Sequence, residues 1–334
     1  MDAEALRVLD RPAAEDGTGP RPILIIGLTH RVGTNFLARV LSAHPECTEP
    51  TSLHEDFLIS GLPHLERYVR EVSRRWNPDW GAHARIPELR RRLGQSIVEF
   101  IRTDAGEPGK RPVLKTPTIY GVEHAASFIP QCDIVVLLRN GPDVVESALR
   151  SFGRRFEDLS RKWGAAAHHF RATVADGSAA QDDSVVVVRY EELMTDPQQA
   201  LARIFDRTGL DPAVYDPTTV EELPLFGSST ERGKAGDVHW SPVEKPRDFN
   251  PLGRSRHWRR DAFVRFDWLT GGISEEIGYR LPYRYHDGPA TRSWQVLRDQ
   301  KARLPYRLRQ RLRYTPDRHE TKTGTAGRYS SSSR

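Results

Sequence analysis

Ile23-Leu-Ile-Ile-Gly27-Leu-Thr-His-Arg31-Val-Gly33-Thr34-Asn35-Phe36-Leu-Ala-Arg-Val40-Leu41 is the stretch on which the fold turns. Its apolar run Ile23–Ile26 reads as a short buried strand that ends at Gly27. Phe36, Leu37, Val40 and Leu41 then recur at helical spacing, and Pro45 stands just past the end of that helix. A glycine in the loop lets backbone N–H groups come close to an anion. The helix behind it adds free N–H donors and the positive end of its dipole. Thr34 and Asn35 sit where short polar side chains cap a helix or bind phosphate oxygens, and Arg31 places a permanent cation beside them. A magnesium-dependent triphosphate loop would need Gly-Lys-Ser/Thr, and Gly33 is followed by Thr34 instead. Taken alone, the segment is read equally well as an ordinary strand–helix connection with a turn glycine.

Outward from this unit, strands alternate with helices. Val113–Leu114 is a brief strand, Ile134–Leu138 is a continuous apolar run and Val185–Val188 a β-branched one, both expected as buried parallel strands. Helical patterns cover Leu62–Val72, Pro87–Arg102, Asp143–Phe152, Leu159–Val174, His257–Leu269 and Ile273–Tyr279. Pro197–Arg207 is a further helix, with Asp196 as N-cap and Pro197 at its first position. Such alternation implies right-handed βαβ units around a mostly parallel sheet, an α/β class. Phe226–Gly253 is a long loop, of the kind usually reserved for function.

A second anion site follows the central run. Arg139 stands at the carboxyl end of its strand, the ligand edge of an open α/β sheet, and Ser147 falls about a turn and a half into the next helix. Here the chain resembles the sulfotransferase superfamily, whose members carry an Arg/Lys-x-Gly-Thr-x loop followed by an Arg-x7-Ser segment. Arg31-Val-Gly-Thr-Asn35 and Arg139-Asn-Gly-Pro-Asp-Val-Val-Glu-Ser147 match both in order. His44-Pro45, Lys115-Thr-Pro117 and Arg189-Tyr190-Glu-Glu-Leu-Met-Thr-Asp-Pro197 with Gly209-Leu210 extend the similarity over about residues 22–279. Val32 and Asn35 depart from the hydroxyl residues frequent in that loop, though each still offers a donor.

The resemblance implies a P-loop-NTPase-like three-layer fold and a bacterial-type enzyme akin to the glycan and tyrosine sulfotransferases. It implies sulfuryl transfer from 3′-phosphoadenosine 5′-phosphosulfate to an acceptor hydroxyl on a glycan, lipid or small metabolite. Arg31, Val32, Gly33, Thr34, Asn35 and Phe36 would hold the 5′-phosphosulfate, Arg139 and Ser147 the 3′-phosphate, and Tyr190 and Arg254 would complete the pocket. Arg254 competes with Arg232 and Lys234 as the residue that closes on the donor. Arg31 and Lys115 are the cations for the transferring group, and with two of them no metal is expected. Glu55 is the favoured general base, since carboxylate bases occur there in related members; His54 is the alternative and Glu49 a third. A P-loop kinase or hydrolase, and a non-catalytic nucleotide-binding protein on the same fold, are the rival readings.

Composition bounds the rest. The chain has 334 residues, two cysteines, no apolar run of membrane length and an acidic start, which points to a cytoplasmic protein. Residues 1–20 read as disordered, 21–282 as the transferase domain and 283–334 as a basic extension. The net charge of +5 is unevenly spread: Arg280–Arg334 holds 14 Lys and Arg against 4 Asp and Glu, a local +10, and the remainder carries 36 against 41, or −5. No nucleic-acid partner is expected, and the extension, with Leu304, Leu308 and Leu312 among arginines, suits weak contact with a membrane surface or an acidic partner.

Overall fold

The computed structural model describes residues 19–49, 53, 55–177, 185–225, 242–245 and 249–300. Within it, β1 (Ile23–Gly27) is buried along its whole length, as an apolar run flanked by neighbours must be, and α1 (Thr34–Ser42) follows the loop. Next come α2 (Leu58–Ser73), α3 (Ile86–Ala105), β2 (Val113–Thr116), α4 (Ala125–Phe128), β3 (Asp133–Leu138) and α5 (Gly141–Phe152). Then follow α6 (Phe156–Phe170), β4 (Val185–Arg189), α7 (Tyr190–Thr195), α8 (Pro197–Thr208), α9 (Thr219–Glu222), α10 (Arg260–Thr270) and α11 (Ile273–Glu276). Asp196 caps α8 as its sequence position foretold, accepting from the Gln199 N–H at 3.0 Å.

The strands form one parallel sheet in the order β2-β1-β3-β4, flanked by helices in the P-loop-NTPase-like α/β arrangement. Ile25 faces Lys115 on one side and Val135 on the other, so the Lys115 backbone is locked in register beside β1. Because β2 and β3 lie on opposite sides of β1, the chain reverses direction of travel across the sheet there. A crevice opens at such a switch point, outside the carboxyl ends of the strands. Arg31 follows β1 and Arg139 follows β3, so both arrive at it.

Several boundaries differ from expectation. Helices α2 and α3 extend beyond the predicted Leu62–Val72 and Pro87–Arg102 at both ends. Strand β4 is not buried throughout: Val186 and Val188 point inward, but Val187 is 37% exposed, because β4 closes that side of the described sheet. The His257–Leu269 and Ile273–Tyr279 patterns become the shorter α10 and α11.

By internal contacts the chain falls into two units, Met1–Tyr285 and His286–Arg334. In the second unit residues 289–300 are helical, and the Leu304–Leu312 pattern lies outside the described residues. Among the described residues no helix is long and apolar enough to cross a membrane.

Candidate active site

A cavity of about 640 Å³ occupies the crevice. Its floor is the loop after β1. Gly33 adopts φ 106° and ψ 19° as the N-cap of α1, a left-handed conformation that suits glycine. A Cβ there would lie 2.4 Å from the Tyr190 ring, so the loop is seated on Tyr190 and only glycine fits. Neither Thr34 nor Asn35 caps the helix: no side chain bonds its N-terminal amides, and the amides are left for a ligand. The Asn35 Oδ1 is buried without a partner. Arg31 also holds a positive φ of 74°, a strained backbone at the centre of the site. Val32 turns its side chain fully into the core, which leaves only its backbone to face a donor.

Three arginines converge above this floor. Arg31 donates from Nε to the Ser147 Oγ at 3.2 Å. Arg139 is buried, lies 4.5 Å over the Tyr190 ring, and donates to the Arg31 carbonyl at 2.9 Å and to the Pro251 carbonyl. It therefore ties the phosphate loop to the 249–255 segment, a positioning role that its sequence position did not disclose. Arg254 reaches the same cavity because Asp143, at the start of α5, clamps its turn. The Asp143 carboxylate accepts from the Gly253 N–H at 2.7 Å, the Ser255 N–H at 2.9 Å and the Ser255 hydroxyl at 2.7 Å. Glu146 adds a bond from Trp258 Nε1 at 3.0 Å. Arg254 thus lines the site, while Arg232 and Lys234 lie outside the described residues.

The electrostatics are those of an anion site. Burial, then Arg254 and Arg139, bring the Arg31 guanidinium down to about 10. Burial and then Arg139 lower Arg254 as well. The Nε groups of Arg139 and Arg254 are buried and unpartnered. At the opposite end of the sheet the contrast is plain: buried Arg111 is neutralised by Asp133. The three arginines repel one another, and an anion that joins them is stabilised by all three.

Behind the cavity lining, Lys115, buried on β2, places Nζ 3.8 Å from Oε1 of Glu55, which does line the cavity. Burial pulls its ammonium down to about 8, against the opposing pull of Glu55 and Asp56. Glu55 lines the cavity, but neighbouring Asp56 does not act in it. Asp56 accepts from Thr116 Oγ1 at 2.6 Å and from the Leu58 N–H at 2.8 Å at the start of α2, and burial raises its pKa. Glu49 is paired with Arg39 at 3.6 Å, with its side chain 78% exposed, and is not part of the lining. His54 lies outside the described residues.

Sequence reasoning missed His30. Its Nε2 lies 4.0 Å from Glu55 Oε2 in the cavity wall. Burial, reinforced by Lys162, Arg154, Arg31 and Lys115, brings its pKa to about 4, so it stands neutral at pH 7. Its place one residue before Arg31 was the available signal. Also missed was an apolar part of the lining formed by Leu193, Met194, Pro197, Val220 and Leu225.

Comparisons with known proteins agree with this arrangement. Residues 22–214 match the model described as "Sulfotransferase family". A curated relative, protein-tyrosine sulfotransferase A of Caenorhabditis elegans, is 23% identical over 237 residues, covering 68% of this chain but only 57% of the relative. Among solved structures, the sulfotransferase domain from the Synechococcus PCC 7002 olefin synthase gives a TM-score of 0.44 at 19% identity, covering 80% of this chain and 98% of that one. Mouse sulfotransferase SULT7A1 complexed with PAP gives 0.41 at 14%, covering 83% and 89%. The family model alone spans more than half of the chain, and the chain belongs to the sulfotransferase family.

Proposed function

We propose that this protein transfers a sulfuryl group from 3′-phosphoadenosine 5′-phosphosulfate to the hydroxyl of an acceptor. The observation that carries this reading is the convergence of buried Arg139 with half-buried Arg31 and Arg254 above an uncapped helix N-terminus, a cradle for two separate anionic groups on one nucleotide. The fit extends to the base, for which the Met194–Leu225 wall offers an apolar slot. When bound, the donor supplies the sulfuryl group and a bisphosphate leaving group.

The chain's own residues then divide the work. The α1 amides and Arg31 hold the 5′ end, and Arg139 with Ser147 hold the 3′-phosphate. Lys115 supplies positive charge where negative charge develops during transfer. Glu55 accepts the proton of the acceptor hydroxyl. His30, held neutral among cations, orients that hydroxyl or the Glu55 carboxylate without adding charge. Positioning and electrostatics dominate, as in phosphoryl transfer. Burial pushes the Cys47 and Cys132 thiols up to about 12, so both stay protonated and take no part in the chemistry.

Thermal denaturation with 3′-phosphoadenosine 5′-phosphate (PAP) against ATP–magnesium tests the reading. PAP at a hundredfold excess over its Kd stabilises the fold by about 2.7 kcal/mol. Stabilisation by ATP–magnesium and not by PAP overturns the proposal in favour of a kinase or hydrolase. Mass spectrometry of glycans, lipids and phenols incubated with isotopically labelled donor then names the acceptor.

A further inference from the structure

A second, smaller cavity of about 130 Å³ lies beside the first. One wall comes from α5, where Val144, Ala148 and Phe152 recur every four residues and share a face; the other comes from Leu159 and Trp163 on α6. This volume is close to the roughly 150 Å³ that admits a benzene ring. His30 and Phe152 line both cavities, so the two share a wall at the reaction centre.

Two cations, Arg154 and Lys162, also line this small cavity. Among the described residues neither makes a hydrogen bond or an ion pair; the nearby Glu157 and Asp158 are not within ion-pair distance of either. Arg154 lies 6.0 Å from the Phe152 ring, which Arg31 approaches to 5.9 Å. Arg154 and Lys162 are both exposed, so their charges are open to an anion that enters this apolar slot from solvent.

We propose that this cavity anchors the acceptor. It takes one ring or a short branched alkyl group bearing an oxyanion, either carboxylate or phosphate, which Arg154 and Lys162 hold while the reacting hydroxyl lies at the shared wall beside His30 and Glu55. The inference rests on the sulfuryl-transfer reading and adds to it the class of substrate. Both cations are felt at that wall: Lys162 and Arg154 contribute to holding His30 neutral, and burial, then Arg154, lowers Lys162 itself. A bound oxyanion relieves that repulsion.

The test titrates PAP-saturated protein by calorimetry with 3-(4-hydroxyphenyl)propionate, its uncharged amide, 4-hydroxybenzylphosphonate and tyramine. Saturation with PAP keeps the probes out of the donor site. The expected result is that one or both anionic probes bind about 10- to 100-fold tighter than the amide, the scale of hydrogen bonds to a charged group, with tyramine weakest. This preference should shrink with salt and collapse to parity in the Arg154→Gln/Lys162→Gln variant, whose two positions are exposed enough to leave folding and PAP affinity unchanged. Tighter binding of the phosphonate or of the carboxylate identifies the anion. If PAP binds normally but the anions gain nothing over the amide, or keep their advantage in the double variant, the subsite is overturned. If PAP itself does not bind, the transfer reading fails, and the subsite falls with it.

Discussion

Replacing Lys115 by Met should stabilise the protein while slowing its chemistry. Lys115 is 6% exposed on β2, and burial holds its ammonium at about 8 instead of the ordinary 10.5. The folded state therefore carries the charge at a penalty. At about 1.36 kcal/mol per pH unit, the gap between 10.5 and 8 amounts to about 3 kcal/mol. The sign follows from proton counts. Below pH 8 both folded and unfolded chains hold the proton and the penalty is full. Between 8 and 10.5 the unfolded chain binds more protons than the folded one, so stability rises with pH; above 10.5 the penalty is gone. Met has a similar volume and no charge, so Lys115→Met should gain up to about 3 kcal/mol at pH 7 and nothing near pH 11. Turnover should fall by about 2.7–4 kcal/mol of barrier lowering, with PAP affinity near normal, as for one preorganised electrostatic donor. Denaturant titrations across pH beside single-turnover rates measure both. A variant less stable than the parent at pH 7, or one running at parental speed, refutes the reasoning.

Glu55→Gln keeps shape and removes proton acceptance, so turnover should drop roughly 10²- to 10⁴-fold with PAP binding intact, as read by rates beside calorimetry. His54→Asn should have the smaller effect, and the reverse order would move the base to His54. Asp143→Ala strips three donors in the Gly253–Ser255 turn of their acceptor, and should cost about 2–5 kcal/mol of stability and weaken PAP binding through the freed Arg254. Unchanged PAP affinity in that variant would show that the clamp does not position Arg254.

The frame of this site was legible because local chemistry imposes it. An apolar run ending in Gly27, and Arg139 closing the Asp133–Leu138 run, mark strand ends wherever the chain goes afterwards. Gly33 was readable as a turn glycine, but the Tyr190 ring that makes it obligatory comes from the start of α7, over 150 residues on, and no spacing rule links them. His30, Phe152 and the Met194–Leu225 wall stayed hidden for the same reason: each is an ordinary residue locally and gains its role by convergence at the switch point. Glu55 was favoured as the base on the resemblance and not on any local pattern, since Asp56 beside it is also a carboxylate. Only the Thr116 hydroxyl and the Leu58 amide separate them, by consuming Asp56 in the start of α2. Arg139 was read as a ligand alone, whereas its two backbone bonds make it part of the scaffold as well.

The account stands on a pocket that distinguishes a 3′-phosphate, and calorimetric titration of the unmodified protein with PAP and with adenosine 5′-phosphate measures that directly. The two ligands differ only in the group assigned to Arg139 and Ser147. One charge-assisted contact of this kind is worth about 2–4 kcal/mol, so PAP should bind roughly 30- to 700-fold tighter, and Arg139→Ala should erase most of the difference. Equal affinity for the two nucleotides in the parent protein would contradict the central assignment.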